Sequence, residues 1–250
     1  MQNVFGAGAM WGTPTSDAYG NPIFNATPIQ FGVAQEVGLD VSFDTKMLYG
    51  SLQLPVAIGR GKGKIGLKFK FAQINGATLN SLFFGQTLQT ALLGDVWDTT
   101  GTPIAATITV TPPLTATFAF DLGVKNSLGQ PLTRTYGNIT TGQYTVSGQG
   151  LYTFAAVDIG QTAFISYQYY GASTTAKKSF ITSLPMGYAP TFRTDIYMPF
   201  QGKSMVWTLN NCVASKLAMA TKLDDFMIPE IDADVFADAA GNIGQYGITE

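Results

Sequence analysis

The chain has 250 residues, of which 12% are charged, 46% are hydrophobic and 12% are aromatic, and its net charge is −2. This balance excludes an intrinsically disordered chain, and the weak negative charge excludes a global basic field that would attract nucleic acid. The sequence contains no histidine, which excludes Ser-His-Asp and Cys-His catalytic pairs and every His-ligated metal site. A surface with so few charges and so many aromatic residues is better suited to being covered by partners than to a free monomer.

Cys212 is the single cysteine, so the sequence excludes an internal disulfide framework. With no histidine to activate its thiol, we interpret it as a small buried apolar residue rather than a nucleophile. A secretory signal would begin with basic residues, but no basic residue precedes Lys46. No apolar run is long enough to span a membrane. We therefore expect a soluble protein made in the cytoplasm, with no membrane insertion, no enzymatic activity and no cofactor or metal.

The first 30 residues are rich in Gly, Pro and Asn and show no sustained period, so we interpret 1–30 as an N-terminal arm and 31–250 as a single β domain. From residue 33 onward, apolar and polar residues alternate, which is typical of half-buried strands. The predicted strands in the first part of the chain cover 33–43, 52–58 and 60–73.

A short α-helix is predicted over about 75–84. Asn75 is suited to cap its N-terminus through the side-chain oxygen. Ile74 and Leu79 have the spacing of a hydrophobic staple, and Gly85 is suited to end the helix.

Residues 99–170 are rich in Thr and Gly and predict further strands, with a hairpin turn at Ser147-Gly148-Gln149-Gly150. Two interpretations stay open for this part of the chain: an inserted β-rich segment, or more of the same sandwich. The last 80 residues predict strands around 178–184, 191–198, 203–213, 216–223 and 228–238, with a short connection at 210–215. The predicted fold class is mainly β, an antiparallel β-sandwich with one short flanking helix.

Two rows of like charge occur on predicted strands, each alternating with apolar residues. The basic row is Lys62, Lys64, Lys68 and Lys70, and the acidic row is Glu230, Asp232 and Asp234. The lysines are interpreted as a solvated strand face or, alternatively, as an inter-subunit charged face. The acidic row has no motif for calcium or for glycoside hydrolysis. Our hypothesis is that the acidic row faces a lysine row across a subunit interface or lines a negatively charged channel. A charge reversal at Asp232 is then expected to weaken assembly.

The segment from Gly59 to Lys64 (GRGKGK) superficially suggests a phosphate-binding loop. It lacks the Lys-Ser/Thr ending of that motif, and a predicted strand rather than a helix follows it. We interpret its glycines as a turn.

Several phrases of the sequence occur in an order that resembles the major tail tube subunits of long-tailed (siphovirus-like) bacteriophages. The first phrase is FDTKMLYGSLQLPVAIGRGKGKIGLKFKFAQINGATLNSLFFGQ, the second is GQYTVSGQGLYTFAAVDIGQTAFISYQYYG, and the third contains DDFMIPEID and FADAAGNIG. Together they lie within residues 30–98 and 140–248, whereas 1–29 and 99–139 carry no match.

The resemblance implies a tail-tube fold in which six subunits form a ring and their inner sheets join into one barrel. Rings of that family stack into a tube that conducts DNA out of the virion, together with partners such as the tape measure and tail terminator proteins. It implies a place in the virion tail after synthesis in the bacterial cytoplasm, and no catalytic residues. The alternative is a carbohydrate-binding or adhesin-like β-sandwich, in which Tyr167, Tyr169 and Trp207 would stack on sugars.

Overall fold

The computed structural model describes residues 6, 8–73, 75–221 and 223–249. Strands account for 53% of it and helices for 6%, so the prediction of a mainly β fold with one short helix is confirmed. The chain divides into two compact units, the first formed by 1–88 and 179–250 and the second by 89–178. The second unit is therefore an insertion in the sequence of the first, and it extends beyond the predicted segment 99–170 at both ends.

The strands are numbered in chain order. The first nine are β1 Ala9–Ser16, β2 Ile29–Gln30, β3 Ala34–Tyr49, β4 Pro55–Phe71, β5 Gln89–Thr90, β6 Leu92–Val96, β7 Thr102–Pro103, β8 Thr107–Thr109 and β9 Thr117–Asn126. The other nine are β10 Thr133–Arg134, β11 Gln143–Val146, β12 Leu151–Phe154, β13 Thr162–Gly171, β14 Lys177–Lys178, β15 Thr191–Phe200, β16 Lys203–Ala218, β17 Glu230–Phe236 and β18 Gly244–Ile248. One α-helical turn, α1, spans Gly76–Leu79, and short 3-10 helices span Pro113–Thr115 and Ala156–Asp158.

The first unit is built on one eight-stranded sheet with the order β2-β1-β15-β16-β17-β4-β3, in which β18 also pairs with β16. Every pair in it is antiparallel. Strand β16 is long enough to carry two neighbours on one edge, with β18 along Met205–Leu209 and β17 along Asn211–Ala218.

The predicted connection at 210–215 is wrong, because β16 continues straight through it. Its register against β15 shifts near Phe192, and its register against β17 shifts between Ala214 and Lys216. Each shift changes which face a residue of a given parity occupies. The alternation in the sequence therefore breaks inside a continuous strand and imitates a turn.

The interpretation of residues 1–30 as an irregular arm is also wrong in part, because β1 pairs along its length with β15. Met10 is fully buried in the core of the sheet. The other core-facing position is Gly12, and a Cβ there would lie 2.3 Å from the ring of Phe31. A glycine that makes room for an aromatic ring leaves no apolar signal in the sequence, so the period of this strand was hidden.

The core of the first unit lies on one face of the sheet. Phe31 packs against Phe69, Phe71 and Phe192 with ring centroids 5.7–6.3 Å apart. Leu82, from the short helix, belongs to the same buried cluster. The apolar alternation predicted for 60–73 is confirmed, since Leu67, Phe69 and Phe71 are buried and Ile65 is half-buried.

The predicted helix is confirmed over Gly76–Leu79 and continues as a π-helical turn over Asn80–Phe84. The side chain of Asn75 accepts a hydrogen bond from the backbone N–H of Thr78 at 2.7 Å, as an N-cap residue does. Gly85 ends the turn with a left-handed φ of 53°. Ile74, the other half of the predicted staple, lies outside the described residues.

The second unit is a β-sandwich. Its two four-stranded sheets have the orders β10-β11-β12-β8 and β6-β13-β7, the latter with β9 also paired to β13. The predicted hairpin is confirmed as β11 and β12, which are joined by Ser147–Gly150. One buried cluster draws side chains from both sheets, among them Tyr152, Val124 and Ile165. Strands β5 and β14 form a separate two-stranded ribbon. Of the strand predicted at 178–184, only Lys178, the last residue of β14, lies in a strand.

Asp121 is buried inside this sandwich. The hydroxyls of Tyr144 and Tyr152 donate to its two carboxylate oxygens at 2.7 and 2.9 Å, and Arg134 Nη1 lies 3.9 Å from it. Burial, with the nearby carboxylate, raises the pKa of both tyrosines well above their usual value. Both hydroxyls therefore stay protonated and donate at neutral pH, which fixes β11 and β12 to β9.

We expect Asp121→Ala to destabilise the second unit by about 2–4 kcal/mol, because it leaves two buried hydroxyls without an acceptor. Thermal unfolding followed by near-ultraviolet circular dichroism of the tyrosines measures the loss. Asp195→Ala is the control, since that carboxylate belongs to the first unit and lies on the solvent side of its sheet. An unchanged transition of the second unit in Asp121→Ala would contradict this role.

Candidate functional site

The two charged rows lie side by side on one sheet face of the first unit, opposite its core. Strands β17 and β4 are antiparallel neighbours, and their register places Glu230 opposite Lys70 and Asp232 opposite Lys68. Lys64 Nζ lies 3.1 Å from Asp234. Acidic and basic side chains therefore alternate across adjacent strands of the same chain.

Further ion pairs extend this charged face to the neighbouring strands. Lys70 donates to Glu36 of β3, and Lys216 of β16 lies 3.2 Å from Glu230 and 3.6 Å from Asp232. These contacts are exposed, so each contributes little to stability. The hydrogen bond to Glu36 raises the pKa of Lys70, and the one from Lys216 lowers the pKa of Glu230. Both shifts favour the charged forms of Lys70 and Glu230.

This arrangement changes the hypothesis about the two rows. Their opposite signs are matched within one chain, so a pairing between them across an interface has lost its motivation. Charge reversal at Asp232 would also disturb Lys68 and Lys216 in the monomer, and it no longer tests an interface cleanly. The channel-lining alternative stays a prediction. Lys62 lies apart from the acidic row, beyond the residues of β4 that pair with β17.

The outer part of the β3–β4 hairpin exposes many apolar residues of the first unit. Strand β17 pairs with β4 along Ile65–Lys70, whereas β3 and β4 continue to pair with each other as far as Tyr49 and Pro55. The extension spans roughly 25 Å at about 3.4 Å per residue. Its exposed large apolar residues are Phe43, Met47, Leu48, Tyr49, Leu52, Leu54, Val56 and Ile58. We call this extension the hairpin arm.

The hairpin arm was not predicted from the sequence. Apolar residues of both parities, such as Met47 and Leu48, occur between 47 and 58, and this pattern is typical of a ribbon with both faces apolar. The interpretation of Gly59–Lys64 as a turn is wrong, because these residues lie within β4. Gly63 instead makes room for a neighbour, since a Cβ on it would lie 2.8 Å from the ring of Phe43, whereas a Cβ on Gly59 would meet nothing within 4 Å.

A second exposed apolar surface lies at the other end of the same sheet. The connection from β16 to β17 enters β17 at Glu230, opposite Lys70, which is the end of β4 remote from the hairpin arm. In this connection Leu223 is fully exposed and Phe226 is 91% exposed. The segment before β15 lies next to the short helix that follows this end of β4, where Ser179 Oγ donates to Asn80 Oδ1 at 3.0 Å, and it exposes Ile181 and Met186. We call these two connections the base loops.

The aromatic residues predicted for sugar stacking are not presented to a ligand. Tyr167 is buried in the sandwich core, and Tyr169 packs against the same cluster. Trp207 stacks on Tyr246 with ring centroids 5.1 Å apart. The exposed tryptophan is instead Trp97, in the second unit. Sequence periodicity could not identify it because it lies just beyond the end of β6.

The remaining candidate features are the single cysteine, a metal site and a membrane-spanning segment. Cys212 is fully buried, as predicted, and burial raises the pKa of its thiol to about 11. Among the described residues, no group of three Asp, Glu or Cys side chains is arranged to hold a metal ion. No helix in the described ranges is both long and apolar enough to cross a bilayer.

Comparison of the chain with protein-family models finds no match, and comparison with curated proteins finds none either. What the chain does must therefore be inferred from its sequence and its own geometry.

Proposed function

We propose that this chain is a structural subunit that assembles with copies of itself into stacked rings, forming the tail tube of a long-tailed bacteriophage. The proposal rests on one observation: the sheet of the first unit carries the hairpin arm at one end and the base loops at the other, and both expose apolar residues. Clusters of exposed apolar residues are typical of sites that a partner covers. Two different surfaces at opposite ends give a head-to-tail contact, which repeats into an open polymer.

The free edges of the eight-stranded sheet support association within a ring. Within the described residues, β3 pairs along its 16 residues with β4 alone, so its other edge is unpaired. At the opposite side, β2 covers β1 only at Trp11 and Gly12. Long unpaired edges are a liability in a free monomer. Edge-to-edge pairing between copies would remove both edges and close the sheets into a barrel.

The charged face is our candidate for the surface that lines the channel. The core covers the other face of the sheet, so in a closed barrel one side carries the alternating charges of β3, β4, β17 and β16. Because most of these lysines are already paired with carboxylates, they offer few free cations to the phosphates of passing DNA. Such a wall would let DNA slide without binding it.

The proposed assembly includes the partners and location that the family resemblance implies. The tube would join a tape measure protein inside and a tail terminator at its end, in the virion tail, after synthesis in the host bacterial cytoplasm. The chain would act as a scaffold and a conduit and would catalyse no reaction. Six copies per ring is the number that the resemblance implies.

Negative-stain electron microscopy of the purified chain, over a range of protein and salt concentrations, tests the proposal. We expect hollow tubes or uniform rings whose abundance rises with protein concentration. High salt should preserve them, because apolar contacts strengthen and surface charge is screened. Small particles of monomer size at every concentration and salt would contradict self-assembly.

A further inference from the structure

The second unit has a concave site on the outer face of its β6-β13-β9 sheet. The cavity measures about 390 Å³, within the range of roughly 300–1,000 Å³ that is usual for small-ligand sites. Its floor is the cross-strand pair Ser166 and Gly123. Gly123 has no side chain to fill the space above it, and its φ of 108° disfavours any other residue. Trp97 and Lys125 flank the cavity, with the lysine Nζ 5.8 Å from the indole centroid.

Trp97 combines exposure with a fixed backbone. Its side chain is 78% exposed, yet the next residue, Asp98, accepts backbone hydrogen bonds from Thr100, Gly101 and Ile165 at 3.0 Å each. These bonds tie the end of β6 to β13. Partial burial alone would raise the pKa of Asp98, but the hydrogen bonds outweigh it and lower the pKa. The indole is therefore presented to solvent from an ordered position, as a ligand-stacking residue requires.

Polar groups lie in the next cross-strand row. Asp95, Gln168 and Phe120 are consecutive neighbours across β6, β13 and β9. Gln168 Nε2 donates to Asp95 Oδ1 at 2.9 Å, which leaves the amide oxygen and the second carboxylate oxygen available to a ligand. Phe120 is exposed on the same face, about 10 Å across the sheet from the strand that leads to Trp97.

We propose that this site binds an uncharged oligosaccharide. The apolar C–H face of one sugar ring packs on Trp97, and its hydroxyls exchange hydrogen bonds with Asp95 and Gln168. Aromatic surface next to convergent acceptors and donors matches a ring that is apolar on its faces and polar at its rim. Asp95 and Lys125 offset each other in charge, so the site favours a neutral ligand. The separation of Phe120 from Trp97 favours a ligand of more than one sugar unit.

This inference does not depend on the proposed tube, because the site lies wholly within the second unit. It differs from the sequence prediction in its residues, since Tyr167, Tyr169 and Trp207 take no part. If the chain is a tube subunit, a saccharide site would allow the assembled tube to contact a glycan surface as well.

Saccharide titrations of the full chain test the inference. Cellohexaose, mannohexaose and chitohexaose would be titrated by isothermal calorimetry to about 10 mM, which detects a dissociation constant near 1 mM. We expect at least one of them to bind, Trp97→Ala to weaken that binding by tenfold or more, and Gln168→Ala to weaken it by about threefold, as expected for the loss of one hydrogen bond. Tyr136→Ala is the matched control, because Tyr136 is an exposed aromatic of the same unit that does not line the cavity.

Two results would overturn the proposal. One is equal binding by the wild-type chain and Trp97→Ala. The other is no binding by any of the three oligosaccharides; if Trp97→Ala then also alters the assembly state, the face is a contact between copies of the chain. Circular dichroism of each variant shows whether a loss reflects the site or the fold. Tubes observed without saccharide binding, or saccharide binding without tubes, separate this inference from the proposed function.

Discussion

Leu54→Asp is expected to leave the chain folded but to abolish tube or ring formation at concentrations where the wild-type chain assembles. Leu54 lies at the tip of the hairpin arm and is 78% exposed, so an aspartate there costs the monomer little. In a stacked assembly the same position would be covered by the next copy, and a buried unpaired carboxylate is strongly unfavourable. We expect the concentration needed for assembly to rise roughly 30-fold or more, which corresponds to a hot-spot loss of about 2 kcal/mol. Sedimentation velocity and electron microscopy measure it.

Leu128→Asp is the matched control for this prediction. Leu128 has nearly the same exposure, 80%, and lies in a turn of the second unit. The same substitution in the second unit adds the same charge to the chain and leaves the residues of the hairpin arm and the base loops unchanged. Assembly by Leu54→Asp at the wild-type concentration would remove the hairpin arm from the interface. Equal loss in both variants would point to net charge rather than to a specific contact.

Phe31→Ala is expected to lower the free energy of unfolding of the first unit by about 3–5 kcal/mol. Phe31 is 2% exposed and is the ring around which Phe69, Phe71 and Phe192 pack. It lies just after β2 and covers the β1 strand at Gly12. Its removal leaves a cavity between segments that are distant in sequence, and rigid sheet neighbours cannot collapse to fill it.

Urea unfolding in a Trp97→Phe background measures this effect selectively. The remaining tryptophans, Trp11 and Trp207, both belong to the first unit, so fluorescence then reports that unit alone. This matters because two units need not unfold in a single transition. Phe24→Ala is the matched control, since Phe24 is exposed, and we expect it to change stability by about 0.5 kcal/mol or less. Similar losses in the two variants would show that Phe31 is not a centre of the core.

The contrast between the helix and strand β16 shows which predictions the sequence supports. The helix is encoded locally: Asn75 caps it, Gly85 ends it, and both signals lie within one short stretch of the chain. Strand β16 takes its register from β15, β17 and β18, which come from three other parts of the chain. Register shifts imposed by those neighbours broke the alternation near residue 212, so a local pattern could not show a continuous strand.

The candidate sites divide in the same way. Alternation by itself placed the lysine row on one face of β4 and the buried residues Leu67 and Phe69 on the other, because side chains of a strand point to opposite faces. Lys70 lies opposite Glu230 because β4 and β17, which are far apart in the sequence, pair with each other. The alternation within either strand does not show this.

The sequence by itself determined the mainly β class, the short helix, the buried cysteine and the absence of histidine chemistry, since composition and local periodicity carry these properties. Only the tertiary structure decided that the charged rows neutralise each other, that the hairpin arm extends beyond β17, and that Trp97 flanks a cavity. Each of these depends on which strands become neighbours and where their pairing ends. Those choices minimise the free energy of the whole sheet rather than of any segment, and no local pattern records them.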